Sequence, residues 1–166
     1  MIKKIFNYLF VLIIFIFFSL NAYSETQFNF DITNLEIIEN GNIYKGKDRG
    51  TVTTDNRIII NADEFEYNKS LNILNAKGNV KIEDTIQNYI IYSENITYLK
   101  NEELIITKGK SRGIDNNGKI ITAKFFKYNK NLNILNAKEN VKIEDTIQDY
   151  IIYAEKTEKL PFDKNH

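Results

Sequence analysis

Cysteine and tryptophan are absent from this 166-residue chain, and proline, methionine and histidine each occur only once. Without cysteine the chain has no disulfide framework, no thiol nucleophile and no cysteine-based zinc cluster. The single histidine is the last residue, His166. The carboxylates are spread along alternating segments, as ordinary solvent-facing acids are. We therefore expect a protein that is not an enzyme and that needs neither a metal nor a cofactor.

An excess of charge of one sign is also lacking. The chain carries 22 basic and 22 acidic residues, whereas a nucleic-acid binder normally presents a basic face. No apolar period of 3.6 residues is sustained after Ser24, which argues against any helix longer than about two turns. The 10 tyrosines and 11 phenylalanines, together with abundant isoleucine, favour β-strands. The sequence therefore predicts an all-β protein with a single domain and no nucleic-acid partner.

One segment of the sequence occurs twice. Residues 71–94 read LNILNAKGNVKIEDTIQNYIIYSE, and residues 132–155, which begin 61 positions later, read LNILNAKENVKIEDTIQDYIIYAE. Only three of the 24 positions differ, namely Gly78/Glu139, Asn88/Asp149 and Ser93/Ala154. Weaker matches place Tyr67, Tyr98 and Tyr128 at spacings of 31 and 30. Units of about 30 residues made of short strands predict a stack of β-rungs, either solenoid-like or jelly-roll-like.

The first 24 residues have the pattern of an export signal. Two lysines precede an apolar run over residues 5–20, and Ala22-Tyr23-Ser24 places small residues at −3 and −1 of a cleavage site. This pattern predicts a secretory signal peptide. The alternative is an uncleaved membrane anchor, because the apolar run is only slightly shorter than a membrane-spanning helix. With either outcome we expect the rest of the chain to be exported. We expect residues 25–160 to form the domain and residues 161–166 to form a disordered tail.

Two short basic segments are further candidates for binding. Residues 45–50 read KGKDRG, and residues 108–113 read KGKSRG. An arginine fork beside a lysine suits phosphate groups, so the candidates for phosphate contacts are Lys47, Arg49, Lys110 and Arg112. The more ordinary interpretation is that these are charged strand ends exposed to water.

Three segments of the chain, INADEF (residues 60–65), NAKGNV (75–80) and ENITYL (94–99), resemble the repeating pattern of the OstA-like family. This family includes the lipopolysaccharide-transport protein LptA and the N-terminal periplasmic domain of LptD. The resemblance covers residues 28–156. It implies an open, twisted β-jelly roll of stacked strand repeats and a periplasmic location, free or associated with the outer membrane. The chain would correspond either to a free-standing LptA-like protein or to a truncated LptD-like protein.

The resemblance further implies an apolar groove that holds the acyl chains of lipopolysaccharide. The residues that we expect to point into this groove are Phe65, Tyr67, Ile73, Val80, Ile82, Ile90, Tyr92, Ile96, Tyr98, Phe126, Tyr128, Ile134, Val141, Ile143, Ile151 and Tyr153. Filling a closed core is the alternative role for the aromatic members. The implied function is to form part of a bridge that carries lipopolysaccharide to the outer membrane. The alternative is an exported structural β-solenoid or adhesin-like module without lipid transport.

A stack of rungs also has strand edges at its two ends, and exposed edges pair with other strands. We expect the edge near residues 28–38 to pair with the edge near residues 150–155 of another copy or of a related OstA-like protein. Such head-to-tail contacts need not close into a ring, so oligomers should grow with protein concentration.

Overall fold

The computed structural model describes residues 28–54 and 57–161, and this part of the chain consists almost entirely of β-strands. The strands are β1 (Phe28–Asp31), β2 (Asn34–Ile38), β3 (Ile43–Lys47), β4 (Gly50–Thr54), β5 (Ile58–Ala62), β6 (Glu64–Asn68), β7 (Ile73–Asp84), β8 (Tyr89–Leu99), β9 (Leu104–Lys108), β10 (Ser111–Ile114), β11 (Lys119–Ala123), β12 (Phe125–Asn129), β13 (Ile134–Asp145) and β14 (Tyr150–Pro161). The only helices in the described ranges are two single 3₁₀ turns, Glu39–Gly41 and Lys100–Glu102. The all-β prediction is therefore confirmed.

The sequence predicts a signal peptide at the N-terminal end of the chain and a disordered tail at the C-terminal end. The predicted signal peptide lies outside the described residues, as do residues 162–166 of the expected tail. Pro161 is the last residue of β14 and not the first residue of a tail. Within the described residues, no helix has the length and apolar character needed to cross a membrane.

The strands form two layers, and every strand pair is antiparallel. Layer 1 contains, in hydrogen-bonded order, β1, β4, β5, the second half of β7, the first half of β8, β10, β11, the second half of β13 and the first half of β14. Layer 2 contains β2, β3, β6, the first half of β7, the second half of β8, β9, β12, the first half of β13 and the second half of β14. The long strands β7, β8, β13 and β14 run through both layers, as expected for a twisted β-jelly roll.

The layers are joined along one side, which we call the seam. In β7 the pairing with β8 shifts between Lys77 and Val80, where Gly78 and Asn79 have φ angles of 76° and 46°. A β-carbon on Gly78 would lie 2.6 Å from the carboxylate of Asp63, so a larger residue there would require Asp63 to move. The equivalent position in β13 is occupied by Glu139, with a φ angle of 63°. The hairpin turns lie away from the seam. They form a rim of layer 1 (residues 85–88, 115–118 and 146–149) and a rim of layer 2 (residues 39–42, 69–72, 100–103 and 130–133).

The 61-residue period extends over all the described strands. Adding 61 to the bounds of β3 to β8 gives the bounds of β9 to β14 to within one residue, and subtracting 61 from β8 gives β1 and β2. The strands β1 and β2 also pair with β4 and β3 as the two halves of β8 pair with β10 and β9. The chain is therefore a leading strand pair followed by two equivalent units, residues 39–99 and residues 100–160.

Candidate functional site

The interior between the two layers is apolar and contains most of the candidate groove residues. Ten of the sixteen are buried there, with 7% or less of their surface exposed: Phe65, Tyr67, Val80, Ile82, Ile96, Tyr98, Phe126, Tyr128, Val141 and Ile143. They share one core with Leu74, Tyr89, Ile91 and Leu135, which were not predicted to point inward. Contact of these residues with a lipid stays a prediction.

The other six candidates do not point inward. Tyr92, Ile151 and Tyr153 are exposed, and Ile73, Ile90 and Ile134 are half-buried on the outer faces. The alternation of side chains shifts where β8 crosses the seam, because its buried residues are Tyr89, Ile91 and Ser93 before the bend and Ile96 and Tyr98 after it. An even-numbered alternation continued across the bend therefore assigns Ile90 and Tyr92 to the wrong face. Their equivalents Ile151 and Tyr153 repeat the error one unit later.

The errors at Ile73 and Ile134 have a related cause. In the sequence, Leu71 and Ile73 alternate in one parity and Leu74 and Ala76 in the other, which predicts a change of face near Asn75. The bend instead lies between Lys77 and Val80, and the buried residues before and after it have the same parity. The inward residues of the preceding segments are therefore Leu74 and Leu135, both fully buried. Their neighbours Ile73 and Ile134 therefore face outward, as the alternation along a strand requires.

Five aromatic rings, one pair and one group of three, lie between the two rims, and we call them the aromatic row. Tyr89 beside the rim of layer 1 contacts Tyr128 near the rim of layer 2, with ring centroids 4.5 Å apart. One unit earlier, the equivalent rings of Phe28 and Tyr67 lie 4.7 Å apart, and Phe28 also contacts Tyr98 at 5.8 Å. All three pairs have the edge-on geometry that aromatic rings favour. In this structure the aromatic row fills the space between the two layers on the side opposite the seam.

The tyrosine hydroxyls of the aromatic row are fixed by the rims. Tyr67 donates a hydrogen bond to Asn72 Oδ1 at 3.0 Å, and Tyr128 donates one to Asn133 Oδ1 at 2.9 Å, so this contact recurs with the 61-residue period. Burial raises the pKa of both Tyr89 and Tyr128 above the ordinary tyrosine value. The Tyr89 and Tyr128 hydroxyls are therefore protonated at neutral pH and act as hydrogen-bond donors.

A partly buried ion cluster fixes the third tyrosine of this rim. Glu103 accepts a hydrogen bond from the Tyr98 hydroxyl at 2.5 Å, pairs with Lys100 and lies 3.4 Å from Lys130 Nζ. Burial opposes ionisation of Glu103, but the hydrogen bonds from Lys100 and Tyr98 and the two lysine charges outweigh it, so its pKa lies below the ordinary value. This carboxylate therefore connects two turns of the rim to the aromatic row.

The four phosphate-contact candidates do not assemble into one site among the described residues. Arg49 donates a hydrogen bond to Asp63 Oδ1 at 2.9 Å, and Lys47, Lys110 and Arg112 are exposed. The structural period aligns Arg49 with Lys110, so the similar segments KGKDRG and KGKSRG do not occupy equivalent positions in the two units. These positions fit the alternative interpretation of charged strand ends in water.

The C-terminal edge exposes groups that the same sequence buries one unit earlier. Tyr89 and Ile91 in β8 are fully buried, whereas their equivalents Tyr150 and Ile152 in β14 are 36% and 48% exposed. The strand β8 is covered by β9 and β10 on its far side. Among the described residues β14 pairs only with β13. The edge of β14 therefore lacks the neighbour for which its sequence is suited.

These features define a β-jelly roll of stacked strand repeats with an apolar interior. Fifteen solved chains match this fold. One of them is the crystal structure of LptH, described as the LptA homologous periplasmic component of the conserved lipopolysaccharide transport device from Pseudomonas aeruginosa. Its TM-score is 0.63 at 12% sequence identity, over 78% of this chain and 95% of that chain. No protein-family model matches the chain, and no curated protein matches it by sequence. The comparison therefore establishes a shared fold.

Proposed function

We propose that this protein is a periplasmic component of a lipopolysaccharide-transport bridge, and that it holds lipopolysaccharide acyl chains between its two layers without covalent chemistry. The observation that carries the proposal is an apolar interior whose two layers share continuous strands at the seam, whereas along the opposite side the described residues connect them through side chains such as Tyr89 and Tyr128. The shared fold with LptH and the export pattern of residues 1–24 support the assignment. The packed interior also suits the second candidate, a structural module without lipid transport.

Lipid entry would require the aromatic row to part along the rims. An acyl chain that fills the space keeps the separated rings covered, so the main losses are the ring–ring attraction and the hydrogen bond between Tyr89 and Tyr128. The three ring pairs contribute about 0.5–1.5 kcal/mol each beyond their burial, and the hydrogen bond contributes about 0.5–1.5 kcal/mol. Burial of each methylene group of an acyl chain contributes about 0.8 kcal/mol, so roughly eight buried methylenes offset even the upper limit of these losses. A typical acyl chain is long enough to open the row.

A photo-crosslinking residue at chosen positions tests whether lipid occupies the interior. At Ile82 and Tyr98, both fully buried, it should capture lipopolysaccharide in membranes. Lys81 is next to Ile82 in β7, and Tyr92 lies in β8 with Tyr98, but both side chains face outward. A crosslinker at Lys81 or Tyr92 should therefore not capture lipopolysaccharide. Tyr92 is the matched control for Tyr98, because the two tyrosines lie in one strand on opposite faces. Equal capture at all four positions, or none at any, would favour the structural module.

The assembly into a bridge follows from the two edges of the stack. Within the described residues each layer contains nine strands in antiparallel sequence, so β1 and β14, and likewise β2 and β14, run in the same direction. A head-to-tail stack that continues both layers therefore joins β14 of one copy to β1 and β2 of the next as parallel pairs. Parallel pairs are slightly less stable per residue than antiparallel ones, so this junction should be the most readily dissociated pairing in the stack.

Introduced cysteines test the polarity of the junction, because the chain has none of its own. Copies carrying Ile151→Cys mixed with copies carrying Asn29→Cys should form disulfide-linked dimers, since the 61-residue period places these positions side by side in a parallel junction. The pair Ile151→Cys with Asp31→Cys would be favoured by an antiparallel junction and serves as the control. Preferential linkage of the control pair would contradict the parallel arrangement while leaving lipid capture in the interior to be judged separately.

A further inference from the structure

The two units carry equivalent cavities on the outer face of layer 2. In the first unit the cavity has a volume of about 340 Å³ and is lined by charged side chains from β3, β6 and β7. Lys45 pairs with Glu66 at 3.6 Å and Lys77 pairs with Glu64 at 3.8 Å. Each pair joins directly opposed residues of neighbouring strands. The lining of the first cavity therefore contains two ion pairs and one further lysine, Lys47.

The second cavity keeps this geometry but has a different lining. Its volume is about 300 Å³, and the positions equivalent to the two ion pairs hold Ile106 opposite Lys127 and Phe125 opposite Lys138. Ile106 is 36% exposed, and Phe125 is half-buried. Both carboxylates of the first cavity are thus replaced, one by an aromatic ring and one by a lysine. The long repeated strands that underlie the two cavities are almost unchanged between the units.

The lysines of the second cavity form a local excess of positive charge. Neither Lys127 nor Lys138 has a carboxylate partner within the described ranges, in contrast to the lysines of the first cavity. Lys127 and Lys138 line the same cavity. A bound anion would therefore supply the negative charge that Glu64 and Glu66 supply in the first cavity.

We propose that this second cavity binds an anionic amphiphile, namely an alkyl chain that carries a phosphate group. The apolar side chains of Ile106 and Phe125 would cover the chain, and the ammonium groups of Lys127 and Lys138 would contact the phosphate as point charges. The recessed shape favours single molecules over a bilayer surface, because a volume of about 300 Å³ is at the lower end of the range for small-ligand pockets. The site lies on the outside of layer 2 and is separate from the interior between the layers, so it does not depend on the proposed transport function.

Titration with dodecyl phosphate below its micelle concentration, followed by backbone and methyl NMR shifts, tests the proposal. We expect shifts centred on Ile106, Phe125 and Lys127, with an affinity at least about tenfold higher than for inorganic phosphate or for dodecyl maltoside. If dodecyl maltoside binds with the same affinity as dodecyl phosphate, the lysine charges do not contribute to binding and the proposal is wrong. Shifts confined to interior residues, or binding only to anionic vesicles, would overturn the site itself.

The first unit supplies a natural control for the variants. The triple change Ile106→Lys, Phe125→Glu and Lys127→Glu introduces the residues that the first cavity carries, so the folded state is already known to accept them at equivalent positions. It should weaken dodecyl phosphate binding at this site at least about tenfold. The reciprocal change Lys45→Ile, Glu64→Phe and Glu66→Lys should create a second site in the first unit. If the first triple variant binds as the unaltered protein does, the assignment of these side chains is wrong.

Discussion

Ile91 and Ile152 offer a test of the idea that β14 lacks a neighbour. The two residues occupy equivalent positions in residues 89–94 and 150–155, which differ only at Ser93/Ala154, but Ile91 is fully buried and Ile152 is 48% exposed. Replacement of either by alanine removes the same atoms. The two variants should nevertheless differ in stability, because only Ile91 has packing partners on both sides.

The structure allows the size of the difference to be estimated. At Ile91 the change leaves a cavity in a closed core, and such substitutions reduce the free energy of unfolding by about 2–5 kcal/mol. At Ile152 roughly half of the side chain is already in water and no enclosed cavity forms, so the transfer contribution alone should reduce it by about 0.5–1 kcal/mol. The expected difference is therefore at least about 1 kcal/mol.

Urea unfolding followed by circular dichroism, at low protein concentration, measures both variants in the monomeric state. Sedimentation at increasing concentration should then show the opposite order, with Ile152→Ala weakening self-association more than Ile91→Ala does. Equal losses of stability in dilute solution would show that the edge of β14 is covered within the monomer. An unchanged association constant for Ile152→Ala would remove the C-terminal edge from the junction.

Two further predictions concern the rim and the seam. Because the pKa of folded Glu103 lies below its ordinary value of 4.5, its ionised form should stabilise the protein above pH 4.5, and this contribution should be lost as pH falls through the folded pKa. Glu103→Gln should therefore reduce stability at neutral pH and flatten the acid limb of an unfolding-versus-pH curve, and an unaltered curve would contradict the role of this carboxylate. At the seam, a β-carbon on Gly50 would lie 2.5 Å from Ile32 Cγ1, so Gly50→Ala should reduce the free energy of unfolding by about 1–3 kcal/mol. Adding Ile32→Ala should recover part of this loss, and strictly additive losses in denaturant titrations would argue against that contact.

The sequence was sufficient for the fold because the repeat is nearly identical and each half-strand alternates clearly. Val80 and Ile82, which follow the bend of β7, were placed correctly on the inner face. The bend itself was misplaced because it depends on a left-handed conformation at Asn79, which a local apolar pattern does not specify. The aromatic row was also beyond local patterns, because the contact between Tyr89 and Tyr128 arises only when the two layers face each other.

The equivalence of the two units makes the length of the stack a discrete quantity. One unit adds four strands to each layer, and neighbouring strands lie about 4.8 Å apart, so each unit extends the stack by about 19 Å. Removal of residues 39–99 would bring β2 directly before the turn that now follows β8, and every remaining strand would keep a partner of the same kind. Chains of this design can therefore change their span by whole units while their end strands, and hence their partners, stay the same.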